Sequence, residues 1–276
     1  MPEIKNPTGN VSIDMWVHPI VSTGRKSWHE KNKRPAIEIL SNGTLQPEYI
    51  MKWKVDKFLY FISSLISTPK KGLRIYIGQF GNSTSDPLTP KGMENQLTVV
   101  FSYTTCVDEL DMNYKDDKKY YIITELNKRI VLVQNNDVAN QRVKRYNDDC
   151  RKRLGQIFGN MPGENPAETK SVLHKHSHLQ EIEKLIGAIN ADDALQPDVA
   201  FVWLRLTSYM ANEPDADSIG YQKRLTVEFD LVDEDGNVID ILYDERSHGV
   251  LNNGGLCPPN TCYGNCLPED DPEPGC

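Results

Sequence analysis

Leu97-Thr98-Val99-Val100-Phe101 recurs, as Leu-Thr-Val-x-Phe, at Leu225-Thr226-Val227-Glu228-Phe229. What precedes each copy recurs too. Ahead of the first, Val55, Phe58, Leu59, Ile62, Leu65 and Ile66 form an apolar stripe on one helical face, which Pro69 closes. Leu73-Arg74-Ile75-Tyr76-Ile77, between Gly72 and Gly78, then reads as a strand through its β-branched and aromatic residues. Ahead of the second, Leu179, Ile182, Leu185, Ile186 and Ile189 make another stripe, Pro197 follows, and Ala200-Phe201-Val202-Trp203-Leu204-Arg205-Leu206 reads as a strand. Arg74 to Leu97 is 23 residues and Phe201 to Leu225 is 24. This order predicts an α+β fold of two similar helix–strand–strand halves with mainly antiparallel sheet, an internal duplication. The competing account is that a common unit recurs by chance.

Four segments follow. Residues 1–47 read as an N-terminal arm, with a short strand at 11–17 and an irregular stretch holding Trp16, Trp28 and the basic run Lys31 to Arg34. Residues 48–160 are the first α+β half. Beyond its strand pair, 120–126 and 129–133 read as two short strands around a tight turn at Asn127-Lys128. A helix capped by Asn136 or Asp137 then runs to Phe158, with Val143, Tyr146, Cys150, Leu154 and Ile157 at three- and four-residue spacing. The polar Gly/Pro stretch 160–165 marks a boundary, 161–250 are the second half, and 251–276 are a Cys/Pro-rich acidic tail.

The net charge of -8 gives a phosphate backbone nothing to attract at long range, which argues against general nucleic-acid binding. No run approaches the roughly 20 apolar residues of a spanning helix, and residues 1–10 lack the charged start and apolar core of a secretory signal. The expectation is a soluble cytoplasmic protein. Six cysteines in such a compartment do not make a disulfide framework, but four of them fall in the last 20 residues.

Gly72-Leu73-Arg74-Ile75-Tyr76-Ile77-Gly78, the following Leu-Thr-Val-Val strand and the terminal Gly254-Gly255-Leu256-Cys257-Pro258-Pro259-Asn260-Thr261-Cys262 resemble a family of uncharacterised bacterial proteins. In that family a G-[ILV]-R-[IV]-Y-x-G strand precedes a second strand and a short C-P-P-x-C tail. The resemblance covers about a third of the chain, which departs from the pattern in its greater length, its second copy and one extra residue between the cysteines. It implies an α+β fold and brings no catalytic residue.

Chemistry-bearing residues are few. Cys257, Cys262, Cys266 and Cys276 stand at C-x4-C-x3-C-x9-C. Four thiolates in one loop suit zinc or an iron–sulfur cluster, though the spacing lacks the tight knuckles of structural zinc sites. Free thiols in an acidic Pro-rich tail, or a disulfide from Cys257 to Cys262 or Cys266, are the alternatives. His174, His176 and His178 alternate; an extended backbone would put all three imidazoles on one side, where they could hold zinc, whereas a helix would splay them as a polar lead-in.

Asp233-Glu234-Asp235-Gly236-Asn237 is read as a hairpin turn, since a calcium loop needs Gly at its sixth place and Glu at its twelfth, where Asp244 stands. A Cys/His pair from Cys106 or Cys150 with His248 would need the fold to join them, and packing explains Cys150. Arg74 and Arg205 are expected on solvated strand faces, and Tyr76 and Trp203 in the core or on a sheet face. No G-x-S-x-G, phosphate loop or H-E-x-x-H is present. The leading expectation is therefore a binding or interaction protein without catalytic activity, its partner a protein. Behind it stand a metal- or redox-responsive tail, and an enzyme with a site between the halves using Asp230, Glu228 or the histidines.

Overall fold

The computed structural model describes residues 3–5, 16–17, 19–66, 72–104, 119–127, 129–159, 168–191, 197–212, 222–243, 246–248, 250–251 and 255–257. In chain order the elements are β1 (Glu3–Lys5), β2 (Trp16–Val17), α1 (Pro19–Trp28), a π-turn (His29–Lys33), α2 (Arg34–Leu40), β3 (Met51–Lys54), α3 (Val55–Ile66), β4 (Gly72–Gln79), β5 (Leu97–Thr104), β6 (Tyr120–Leu126) and β7 (Arg129–Gln134). There follow α4 (Asn136–Arg145), a second π-turn (Tyr146–Cys150), α5 (Arg151–Phe158), β8 (Ser171–Lys175), α6 (His176–Ala191), β9 (Phe201–Ser208), β10 (Leu225–Val232), β11 (Asp240–Tyr243), β12 (Arg246–His248), β13 (Val250–Leu251) and β14 (Gly255–Cys257).

The fold is α+β. A first sheet runs β14-β8-β4-β5-β6-β7 and a second runs β2-β13-β10-β9-β3, each antiparallel throughout. A small third sheet, β1-β11-β12, contains the parallel pair β1–β11. Among the described residues no helix is long and apolar enough to cross a membrane.

The strand pairs β4–β5 and β9–β10 share one register. Gly72 faces Thr104 and Gln79 faces Leu97; Phe201 faces Val232 and Ser208 faces Leu225. The strand before each inner helix joins the opposite sheet: β3, ahead of α3, pairs with β9, and β8, ahead of α6, pairs with β4. Their registers also correspond, with Trp53 opposite Val202 and His174 opposite Leu73.

The inner faces of both sheets and the apolar faces of α3 and α6 share one core. Phe58, Ile62, Ile75, Phe101, Leu179, Ile182, Val202 and Phe229 are buried in it, and Trp53 of the second sheet packs edge-on against Phe101 of the first at 5.9 Å. The described side chains of the two helical stripes thus face inward, as their periodicity predicts. The tight turn forms as well, with Leu126 opposite Arg129 and Asn127 at φ +51°. At residues 233–237 the Asn237 backbone N–H donates to Asp233 Oδ1 at 2.7 Å, a hairpin turn between Val232 and Val238.

Residues 19–40 are helical, not an irregular arm. Their inward side is Ser22, Arg25, His29, Lys33, Ile37 and Leu40, all buried. Polar residues at helical spacing give hydrophobic periodicity nothing to detect. Three successive four-residue steps, Arg25 to Ile37, would drift roughly 120° around a regular α-helix. The wider i→i+5 turn at His29–Lys33 keeps them on one side. The helix 136–158 contains the second π-turn and is capped by Asn135, whose side chain accepts from the Val138 backbone N–H, one residue earlier than expected.

Both π-turns address the buried segment 168–170, which lies between the sheets. Lys33 Nζ pairs with Glu168, both fully buried, and Glu168 Oε1 accepts from the backbone of Thr169 and of Leu225. The Tyr146 hydroxyl donates to the Thr169 carbonyl at 2.8 Å, and the Lys170 carbonyl accepts from Ile77 of β4.

Candidate functional site

The two sheets differ on their outer faces. On the first, Tyr76, Val100 and Ile122 pack beneath Val138, Ala139 and Val143 of α4 in an apolar cluster. On the second, under α1, the register-equivalent places of Tyr76, Val100 and Ser102 are taken by Arg205, Glu228 and Asp230. The structure overturns the expectation that Arg74 and Arg205 face solvent: they are 1% and 5% exposed.

Arg205 is the centre of the network. Its Nε and Nη2 donate to Glu228 Oε2 at 3.2 and 2.8 Å, Nη2 donates to Ser22 Oγ at 2.9 Å, and Nη1 lies 3.0 Å from Asp230 Oδ2. Ser22 Oγ donates to the same Glu228 oxygen at 3.2 Å, and Arg25 Nη1 is 3.5 Å from the other. Arg25 also lies over the Tyr209 ring at 4.1 Å. His29 Nδ1 meets Ser208 Oγ at 2.9 Å; burial, with Lys33, Arg34 and Arg205 nearby, lowers its pKa to about 3, so the ring is neutral.

Asp230 is fully buried, held by Arg205 Nη1 at 3.0 Å and by the nearby Tyr49 phenol. Burial and the Glu228 charge push its carboxyl up to about 6, against the pull of Arg205. Burial and Asp230 in turn raise the Tyr49 phenol above its ordinary value. Tyr49 and Trp203, the residue directly across from Asp230, form a half-buried corner with centroids 4.8 Å apart and planes at 68°. Lys52 Nζ sits over the Trp203 ring at 3.7 Å and 5.1 Å from that of Tyr49. Beside the corner Glu48 pairs with Lys26.

The histidines are split by the start of a helix. His174 ends in β8 and is 3% exposed, its ring 5.3 Å from Phe229, at the place Trp53 holds in the other sheet. Burial and His178 lower its pKa to about 3. His176 and His178 lie in the first turn of α6, so the strand-like alternation ends where the helix begins. Among the described residues no three of His, Cys, Asp or Glu are grouped to hold a metal ion. The backbone of Cys257 lies opposite Ser171 in β14–β8. Cys262, Cys266 and Cys276 lie outside the described residues, as does Cys106. Cys150 is buried in the α2/α5 core, and burial pushes its thiol up to about 12.

Comparison with family models, curated proteins and solved structures returns no match.

Proposed function

We propose that the chain is a binding protein made of two duplicated helix–strand–strand units, and that the outer face of the second sheet is its binding face. One observation carries this: Arg205, Glu228 and Asp230 stand where the corresponding places of the first sheet hold Tyr76, Val100 and Ser102. Buried ion groups contribute little net stability, and apolar replacements of similar volume are often equal or better. The first outer face shows that an apolar helix-on-sheet contact is available to this architecture. Charges kept under α1 therefore serve something other than the fold. The resemblance to uncharacterised bacterial proteins lends the site no residue, and zinc at the tail cysteines is a separate proposal that elemental analysis of the full chain decides.

The test copies the first face onto the second. A variant carrying Arg25→Met, Arg205→Tyr, Glu228→Val and Asp230→Ser is expected to fold with stability equal to the native chain or higher by about 1–4 kcal/mol in urea denaturation. A loss of several kcal/mol would assign the network to the fold and end this reading.

A further inference from the structure

We infer that the corner formed by Tyr49 and Trp203 is a site for a primary alkylammonium group, which in the free protein the chain fills with its own Lys52. This rests on the binding face proposed above and adds the chemistry of its ligand.

Four observations converge. First, the rings meet at 68° with centroids 4.8 Å apart, so an ammonium can face both at once. A cation over an aromatic face gains about 0.5–1 kcal/mol per exposed ring and more when shielded from water. Second, the place is occupied by such a group already, Lys52 Nζ at 3.7 Å from one centroid and 5.1 Å from the other. Lys52 is exposed and lies on β3, the edge strand of its sheet, so its side chain can swing out with little cost to packing. Third, the wall behind the rings carries carboxylates. Asp230, directly opposite Trp203, is fully buried with Arg205 Nη1 3.0 Å from its Oδ2, and Glu48, paired with Lys26, adds a half-exposed carboxylate close to Tyr49 and Lys52. Fourth, the first sheet has no such corner: Arg74 and Leu173 stand at the register places of Trp203 and Lys52.

The ligand class is a linear primary ammonium, supplied either by a small amine or by a lysine side chain of a partner. The experiment is a fluorescence titration of the full chain and its Lys52→Ala variant with n-butylammonium, Nα-acetyl-lysine N-methylamide and neutral n-butanol. Lys52→Ala is expected to bind butylammonium about ten-fold more tightly than the native chain, the equivalent of freeing the two ring faces that Lys52 occupies. Adding Trp203→Ala is expected to remove that signal, and adding Asp230→Asn to weaken it. Equal binding of the blocked lysine identifies a partner lysine as the source, and butylammonium alone identifies a small amine; both uphold the site. No saturable change in Lys52→Ala with a Kd below about 200 mM, the weak end of what two ring contacts give, or equal binding of butanol, overturns it. If that happens while the four-residue face variant keeps its stability, the binding face stands and only the ammonium is wrong. Loss of stability in the face variant would remove both.

Discussion

At the scale of single residues, Asp230 gives the outer face its sharpest signature in pH. Its folded pKa of about 6 lies above the ordinary 3.8. Below pH 3.8 the group is protonated in both states and costs nothing. As pH rises through 6 the native state must ionise a buried carboxyl that the unfolded chain ionised earlier, so about 3 kcal/mol of stability is lost from this group. His29 and His174 act oppositely, since folded values of about 3 make their contributions full above 6.5 and lost as pH falls toward 3. Comparing Asp230→Asn with the native chain cancels the histidines. The variant is expected to gain about 2.5 kcal/mol relative to native between pH 4 and pH 7.5 in urea denaturation. A difference that does not change with pH would show that Asp230 titrates normally. Sequence reasoning named Glu228 and Asp230 as acidic residues of an enzyme site between the halves, not as parts of a buried network. It put Arg205 in solvent, because charged strand residues usually face water. What it lacked was the cover: Ser22, Arg25, His29 and Lys33 repeat at helical spacing, but as polar residues they leave no hydrophobic stripe.

Among elements, the inner helices and the strand pairs were legible because Phe58, Ile182, Ile75 and Val202 belong to strong periods of 3.6 and 2. The exchanged strands were not. Met51–Lys54 and Ser171–Lys175 are four and five residues long, too short for a pattern, and each takes its place from a partner distant in the chain. A trace of the exchange does exist in the glycines that flank the Leu73–Ile77 run. A Cβ on Gly72 would fall 2.6 Å from the His174 carbonyl oxygen, and one on Gly78 would fall 3.3 Å from Arg142 Cβ. The first marks where β8 presses on β4 and the second where α4 does. Gly72→Ala must therefore push β8 off its register, because the obstacle is backbone and cannot rotate away. We expect a loss of about 1–3 kcal/mol, the usual cost of overpacking, together with faster amide exchange across β8. Stability within a few tenths of a kcal/mol of native would mean that β8 does not lie where the structure puts it.

For the molecule as a whole, the exchange decides what can fold alone. The gap around 160–165 reads as a linker, and the composition there supports it. Yet the first sheet takes β8 from beyond that point, while the second takes β3 from before it, and Trp53 and Phe101 join the two inner faces directly. Glu168 adds a further tie, because its carboxylate holds the Leu225 backbone on one side and the buried Lys33 ammonium on the other. Separating the halves would leave β4 and β9 each with an unpaired edge over an opened apolar core, and would strand Lys33 without its counter-charge, a loss of about 3–5 kcal/mol on its own. A fragment of residues 1–160 or of 161–276 is accordingly expected to lack dispersed methyl signals and a cooperative thermal transition when made alone. Mixed at equal concentration, the two should regain both, since every strand then finds its partner. A fragment that folds by itself with native-like chemical shifts would show that the exchanged strands are accessory and that the chain is two domains placed side by side.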